Sequence, residues 1–361
     1  MTIHQNDEQI DLEDEVFEAD EDEDELADEG VVYQINTFGA DYTVDGLIKR
    51  FDRGDIFRPQ FQRNFVWSVK QASRFVESIL LGLPIPSVFL YRENVSQKHL
   101  IVDGLQRLTT LHAYYKGRFE HNDRVFRLRD VHNEYEGKTL DELDEVARRR
   151  FEDSVIHAMV IQQLAPEDDN SSAFHIFDRL NSNGTPLQPQ EIRAAIYHGP
   201  FQDLLGELNS YESWRQIFGP PHKRSKDQEL ILRFFALLFD RDNYEKPMKT
   251  FLNKYMKVNK NASATELKDH KDMFEVTIDR AFEAFGKGAF RPRRTINVAV
   301  FDSIMVAIAE CPEASSEQIN SAYQALLEDK DYVLWTSKAT SDDKIVDSRI
   351  ERAIDVLDAS T

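Results

Sequence analysis

Cysteine is nearly absent from the 361 residues: Cys311 stands alone. That excludes an intrachain disulfide and any metal centre built on clustered thiolates. Long apolar runs are missing too. The best of them, Leu230 to Phe239, is short and interrupted by Arg233, whereas a membrane-spanning helix needs about 20 apolar residues. The N-terminus lacks a basic stretch followed by an apolar one, so no secretory signal is expected. The chain is therefore expected to be cytoplasmic, with no membrane partner. Also missing are the Gly-x4-Gly-Lys-Ser/Thr phosphate loop, the His-Glu-x-x-His zinc helix and the Gly-x-Ser-x-Gly nucleophile elbow. These gaps exclude three common routes to hydrolysis.

Basic residues are wholly lacking from positions 1–30, which hold 15 Asp and Glu. The whole chain carries 65 acidic against 44 basic residues, a net charge of −21. Such acidity ordinarily argues against a nucleic-acid partner, because phosphate neutralisation needs Lys and Arg. Outside the first 30 residues, however, the balance is 50 acids to 44 bases, a net of −6. Like-charge repulsion predicts a disordered tail over 1–30. It serves either as a solubiliser or as a polyanion competing for a basic groove. The body has 24 Phe and 12 Tyr and a hydrophobic share of 41%, enough for a core, and the length suits about two domains.

Periodicity divides that body. Helices are predicted at Thr43–Phe51, at Val69–Leu83 with a stop at Gly82 and Pro84, at Leu105–Tyr115, at Asp168–Leu180 and at Pro189–Tyr197. Compact apolar runs at Ser87–Tyr91, His99–Val102 and Val155–Leu164 read as strands. Beyond Gly199 the strand signals nearly vanish. Helical spacing recurs over Asp227–Asp240, Pro247–Met256, Ala264–Phe285, Asn297–Ala309, Glu317–Leu327 and Ile345–Leu357. Ser263 and Glu266 form a capping-box pair before the third of these. The expected organisation is an acidic tail (1–30), a mixed α/β domain (31–199) and an all-helical domain (200–361), an α+β chain.

The most informative local pattern is Leu100-Ile-Val-Asp103-Gly104-Leu105-Gln106-Arg107. An apolar strand runs into Asp-Gly and a helix starts at once. Glycine permits the tight turn, and the first helical N–H groups point at whatever lies above them. That is an anion site in outline, to which Arg107 adds a permanently charged donor fork. Asp103 is placed to hold Mg²⁺ or accept a proton, and Gln106 to orient a water. A plain structural turn with a solvated arginine fits the same residues.

The turn also resembles the DGQQR box of the GmrSD-type restriction endonuclease N-terminal domain family, itself similar to the ParB/sulfiredoxin-like fold. Three further segments follow the family's order. They are Phe57-Arg58-Pro-Gln-Phe-Gln62-Arg63-Asn-Phe-Val-Trp67, Glu77-Ser-Ile-Leu-Leu-Gly82-Leu-Pro-Ile-Pro86, and Phe177-Asp-Arg179-Leu-Asn181-Ser-Asn183-Gly184-Thr-Pro-Leu187 with Glu191 and Arg193. With Glu229–Phe234, the resemblance covers about residues 35–240. It implies a ParB/sulfiredoxin-like domain that binds or hydrolyses an NTP with Mg²⁺, coupled to restriction of foreign DNA. Asp103, Gln106 and Arg107 would then be catalytic. Micromolar affinity needs about −8 kcal/mol, whereas a helix terminus gives roughly 0.3–1 and a charged hydrogen bond about 1.5–3. Further nucleotide contacts are therefore required, from Gly104 and from Arg58, Gln62 and Arg63 on one side and Arg179, Asn181 and Asn183 on the other. Trp67 could stack on a base, though its surroundings read as core.

Two positions depart from the family. Leu105 replaces its first Gln, which would impair turnover if that Gln takes part in hydrolysis. Gln188 replaces a Ser before the helix containing Glu191, a weaker N-cap. No His-Asn-His cluster follows residue 200; Asp130 with Glu136 and Lys138 reads as a solvated hairpin rather than a nuclease core. A separate nuclease subunit is one partner that the resemblance allows. Basic clusters occur at Arg148–Arg150, His222–Lys226 and Arg291–Arg294. From Tyr244 to Lys260, five Lys are interleaved with Phe251 and Tyr255, a pattern expected of a DNA-binding surface. Three readings follow: an NTPase of a restriction or phage-defence system, a non-catalytic nucleotide-gated sensor or adaptor, and a ParB-like nuclease.

Overall fold

The computed structural model describes residues 17–18, 33–58, 67–94, 96–165, 172, 176 and 188–359. The chain divides into two compact units, 30–196 and 197–361, and residues 1–29 group with the second. Among the described residues it is an α+β protein: one mixed sheet in the first unit and a helical second unit.

The first unit is built on five strands. In chain order these are β2 (Gln34–Thr43), β3 (Ile56–Phe57), β4 (Val88–Arg92), β5 (His99–Asp103) and β6 (Val155–Ala165), where β1 is the short strand Phe17–Glu18 of the second unit. Their spatial order is β2-β6-β4-β5-β3. β2 runs antiparallel to β6 and β4 antiparallel to β5, while β4 is parallel to β6 and β3 to β5. Helices α1 (Val44–Asp52), α2 (Val69–Leu80), α3 (Leu105–Tyr115) and α4 (Glu145–Asp153) pack on the sheet, and α5 (Pro189–Ile196) ends the unit.

The local chemistry explains these boundaries. Thr43 Oγ1 accepts the Gly46 N–H at 3.1 Å to start α1. Ser68 and Gln71 cap one another's backbone at 3.3 and 2.9 Å to start α2, and Gly82, at φ +70°, follows its end. Along β6, Ile156, Ala158 and Val160 are buried, while Val155, His157 and Met159 are exposed. The buried set joins Leu47 and Ile48 of α1, Val76 and Leu80 of α2, Leu108 and Leu111 of α3 and Phe151 of α4 in one core. Alternation along this strand has thus decided which face of the sheet the helices cover.

In the second unit α6 (Pro200–Leu208), α7 (Glu212–Phe218), α8 (Lys226–Phe239), α9 (Met248–Asn259) and α10 (Ala264–Phe285) are followed by β7 (Ile296–Asn297). Then come α11 (Val298–Glu310), α12 (Ser316–Glu328), α13 (Lys330–Trp335) and α14 (Asp343–Asp358). Trp214 is fully buried and meets Phe301 and Phe274 at ring separations of 5.7 and 6.2 Å. The capping box expected at Ser263 is present, with Glu266 accepting the Ser263 N–H at 2.7 Å and Ser263 Oγ the Glu266 N–H at 3.3 Å. Within the otherwise acidic tail, Phe17–Glu18 pairs in parallel with Ile296–Asn297. Among the described residues no helix is long and apolar enough to cross a membrane.

Arg233 sits inside the apolar run Leu230–Phe239 because it points inward. Its Nε and Nη2 donate to the two oxygens of Asp302 at 3.1 and 2.6 Å, and Arg349 Nη2 donates to the same carboxylate at 3.0 Å. All three side chains are at most 5% exposed. Arg349 also donates to the Thr340 carbonyl, which helps to offset the excess positive charge.

Candidate functional site

The end of β5 and the start of α3 form the turn singled out above. Leu100, Ile101 and Val102 are buried, fixing β5 as an inner strand whose last residue, Asp103, lies opposite Phe89 of β4. Gly104 follows at φ +97° and ψ 12° as the residue before the first turn of α3. Two constraints require glycine there. The left-handed backbone penalises a side chain, and a Cβ would stand only 2.7 Å from Val88 Cγ1.

Because Gly104 offers no side chain, no side-chain cap satisfies the first N–H groups of α3. These N–H groups stand at the positive end of the helix. Arg107 lies over this end: its Nη2 donates to Asp103 Oδ2 at 2.5 Å, with side-chain exposures of 14% for Arg107 and 41% for Asp103. The guanidinium is held by packing while its carboxylate partner remains open to solvent. Gln106, half-buried, accepts the Trp67 N–H on Oε1 at 3.4 Å, so the turn also holds the chain where it re-enters α2. Four residues expected at the site, Asp103, Gly104, Gln106 and Arg107, are therefore brought together.

Leu105 points elsewhere. It is 9% exposed and belongs to the hydrophobic core. The departure from the family's Gln thus places an apolar side chain in apolar surroundings, and the polar rim of the turn is formed by residues 103, 106 and 107.

The other expected contacts are distributed differently. Arg58 follows β3, which runs parallel to β5 with Phe57 opposite Leu100, so it leaves the sheet at the same end as Asp103. Its guanidinium forms an exposed ion pair with Glu120 at 3.3 Å. Gln62 and Arg63 lie outside the described residues, but the segment that contains them is bounded by Arg58 and by Trp67, the residue tied to Gln106. Arg179, Asn181 and Asn183 also lie outside the described residues. The strand before them, β6, runs parallel to β4 and antiparallel to β2, and so leaves the sheet at the end opposite Asp103. Trp67 packs against the core with its ring edge-on to Phe75 at 5.6 Å, as its surroundings suggested.

Further on, Glu191 and Arg193 are each 1% exposed. Glu191 accepts the Gln188 N–H at 2.6 Å, and Arg193 donates to Gln190 Oε1 at 2.9 Å. Glu191 thereby supplies half of a capping box, compensating for the weaker cap at Gln188. His112 bonds Asp52 at 3.0 Å. The Lys116 ammonium, with help from His112, holds the Asp52 carboxyl below the usual carboxylate range. This is a pairing between helices rather than part of the turn.

Two of the basic clusters contain arginines that are already paired. Arg148 pairs with Glu152 and Asp141, Arg149 with Glu145, and Arg150 donates to the Leu80 carbonyl. Arg291 donates to the carbonyls of Lys287, Ala289 and Ile217. Phe251 and Tyr255, read as interleaved stacking groups, are 2% and 5% exposed. Tyr255 bonds His270 at 2.9 Å, and burial pushes its hydroxyl pKa upward. Both aromatics face the core because their separation of four places them on one side of α9. Asp130 pairs with Lys70 at 3.3 Å, and Glu136 accepts the Val131 N–H at 3.1 Å. Among the described residues no group of three His, Cys, Asp or Glu side chains is placed to hold a metal.

Residues 44–198 match the family described as GmrSD restriction endonuclease, N-terminal domain. That segment is similar to the family, and the match spans the Asp103–Arg107 turn. No curated protein matches the chain.

Proposed function

We propose that this chain is the nucleotide-handling component of a restriction or phage-defence system acting on DNA, with the Asp103–Arg107 turn as its phosphate site. The observation that carries the reading is the junction of a helix start without a side-chain cap and a packed Arg107 paired with the half-open carboxylate of Asp103. A phosphate arriving over α3 would take the N–H groups of the first turn and draw Arg107 away from Asp103. One negative group would replace another on the guanidinium, so the cation is never left bare. Asp103, released, becomes available to accept a proton from water, which Gln106 orients through the carboxamide that also contacts Trp67. Water would attack the terminal phosphorus in line, the phosphoanhydride bond would break, and Arg107 would stabilise charge on the transferring group.

Mg²⁺ suits this setting, because it is commonly held by one or two carboxylates together with substrate phosphates. With the ion present, Asp103 would hold it instead of accepting the proton, which would pass to a phosphate oxygen, and the ion would neutralise phosphate charge. Arg58 and the segment containing Gln62 and Arg63 would add contacts from the β3 side. Cutting of DNA would belong to a separate nuclease subunit.

NTP turnover by the wild-type chain and by Arg107→Ala tests the site. Loss of phosphate release in the variant is expected; equal rates would remove the turn from the mechanism. Leu105 favours a second reading, a nucleotide-gated adaptor without turnover. Calorimetric binding of NTP with no phosphate release by the wild type would select it.

A further inference from the structure

From Lys246 to Thr265 the chain contains five Lys and no Asp or Glu, with Glu245 and Glu266 at its borders. In a protein of net charge −21, so sharply bounded a basic segment calls for a reason. Helix α9 carries most of it. Its apolar side, Met248, Phe251, Leu252, Tyr255 and Met256, is buried. Lys254 and Lys257, three residues apart, are exposed on the other side, where half-buried Thr250 and Asn253 also lie.

These two lysines differ from the arginines of the other clusters. Among the described residues neither Lys254 nor Lys257 has a carboxylate within ion-pairing distance, whereas Arg148, Arg149 and Arg291 are committed to acids or carbonyls. Lys246, which precedes α9, pairs with Asp342 at 3.6 Å, and its N–H donates to Asp343 Oδ1 at 2.7 Å. Lysines near a helix C-terminus favour the helix dipole, which accounts for Lys257. It does not account for Lys254 or for twenty residues free of acid.

We propose that the lysine face of α9, formed by Lys254 and Lys257, is a contact surface for the phosphate backbone of duplex DNA. The proposal rests on the reading that the chain acts on DNA. A helix of this length spans about 18 Å, and duplex DNA presents roughly one charge per 1.7 Å of axis. Two lysines one turn apart on the helix therefore meet neighbouring phosphates. Lysine is a point-charge donor, and with Thr250 and Asn253 beside it the face suits backbone contacts that position a protein without reading sequence. A membrane surface is a poorer match, because an interfacial helix inserts its apolar side and that side of α9 is already occupied by the core.

The test is fluorescence anisotropy of a labelled 25-base-pair duplex with the full chain between 50 and 200 mM salt. The variants are Lys254→Gln/Lys257→Gln and Lys254→Glu/Lys257→Glu, with Arg148→Gln/Arg149→Gln as the basic control. The Gln pair is expected to flatten the slope of log K against log salt by about 1.8, from roughly 0.9 per phosphate contact. The Glu pair is expected to weaken binding at least tenfold at the lowest salt, and the control to stay within twofold. Circular dichroism confirms that α9 remains folded in the Gln pair. Duplex binding with an unchanged slope in the Gln pair would overturn this surface while leaving a DNA-acting chain intact. Absence of duplex binding by the wild type would overturn both. Preference for single-stranded RNA, read by competition, would overturn the duplex assignment.

Discussion

The molecule uses an arginine–aspartate pairing twice, with opposite consequences. In the helical unit Asp302 is fully buried between Arg233 and Arg349 and is reached by three donors at 2.6–3.1 Å. In the α/β unit Asp103 meets Arg107 at 2.5 Å but is 41% exposed at the mouth of a helix. The contact chemistry is the same and the solvent is not. Buried, the charges are expensive to separate and nothing can replace either partner. At the turn, water or an anion can take the place of the carboxylate at little cost. A strong pairing thus marks structure in one place and a ligand-exchange point in the other, and exposure tells them apart.

The sharpest way to break this contrast is Asp302→Ala. Two buried guanidinium groups would lose their shared carboxylate, so a destabilisation of about 3–5 kcal/mol is expected, read as a fall in the denaturant midpoint. A loss below 1 kcal/mol would mean that water reaches the triad, and the contrast would collapse. Arg107→Ala should show the reverse profile. Its stability cost should stay within about 1 kcal/mol because Asp103 can be hydrated. Turnover should fall by roughly 10²-fold or more, as when one donor to transition-state charge is removed. Stability and rate measured on the same preparations would separate the two roles.

Leu105→Gln gives a smaller effect and asks which side of the turn matters. Restoring the family's residue would put an amide where Leu105 is 9% exposed within the core. The expected outcome is a loss of about 1–3 kcal/mol with no gain in turnover. A several-fold rise in NTP hydrolysis would instead show that the side chain can swing to the polar rim, and that Leu105 is what limits the chemistry.

The turn was legible in the sequence because its requirements are local: an apolar strand, a glycine with no alternative, and an arginine one helical turn beyond the aspartate. The same holds for α2, with its cap at Ser68 and stop near Gly82, and for the capping box at Ser263. What escaped was set by distant residues. β2 escaped because, at the sheet edge, its core-facing Phe38, Ala40 and Tyr42 are only half-buried and alternate over just part of the strand. Arg233 looked like an interruption of an apolar run because its partner lies 69 residues away. Phe251 and Tyr255 suggested stacking until the helix placed them both inward. Arg148 and Arg149 suggested a free basic patch, although each has a glutamate four residues away on its own helix. Composition counts charges; only the fold says which are already spent.

That distinction reaches the acidic tail. It holds 15 carboxylates, and its Phe17–Glu18 pairs with Ile296–Asn297 of the helical unit, the unit that carries the lysine face of α9. A tethered polyanion acts at an effective concentration set by its linkage rather than by bulk solution, so it should compete with DNA phosphates for Lys254 and Lys257. Removing residues 1–30 is expected to tighten duplex binding by about threefold to tenfold at 50 mM salt. The gain should fade as the Debye length shrinks from roughly 14 Å towards 5 Å or less. The Gln pair at 254 and 257 supplies the decisive arm: if the tail acts on those lysines, deleting it from the variant should gain much less than deleting it from the wild type. An equal gain in both would place the competition elsewhere, and no gain in either would leave the tail as a solubiliser.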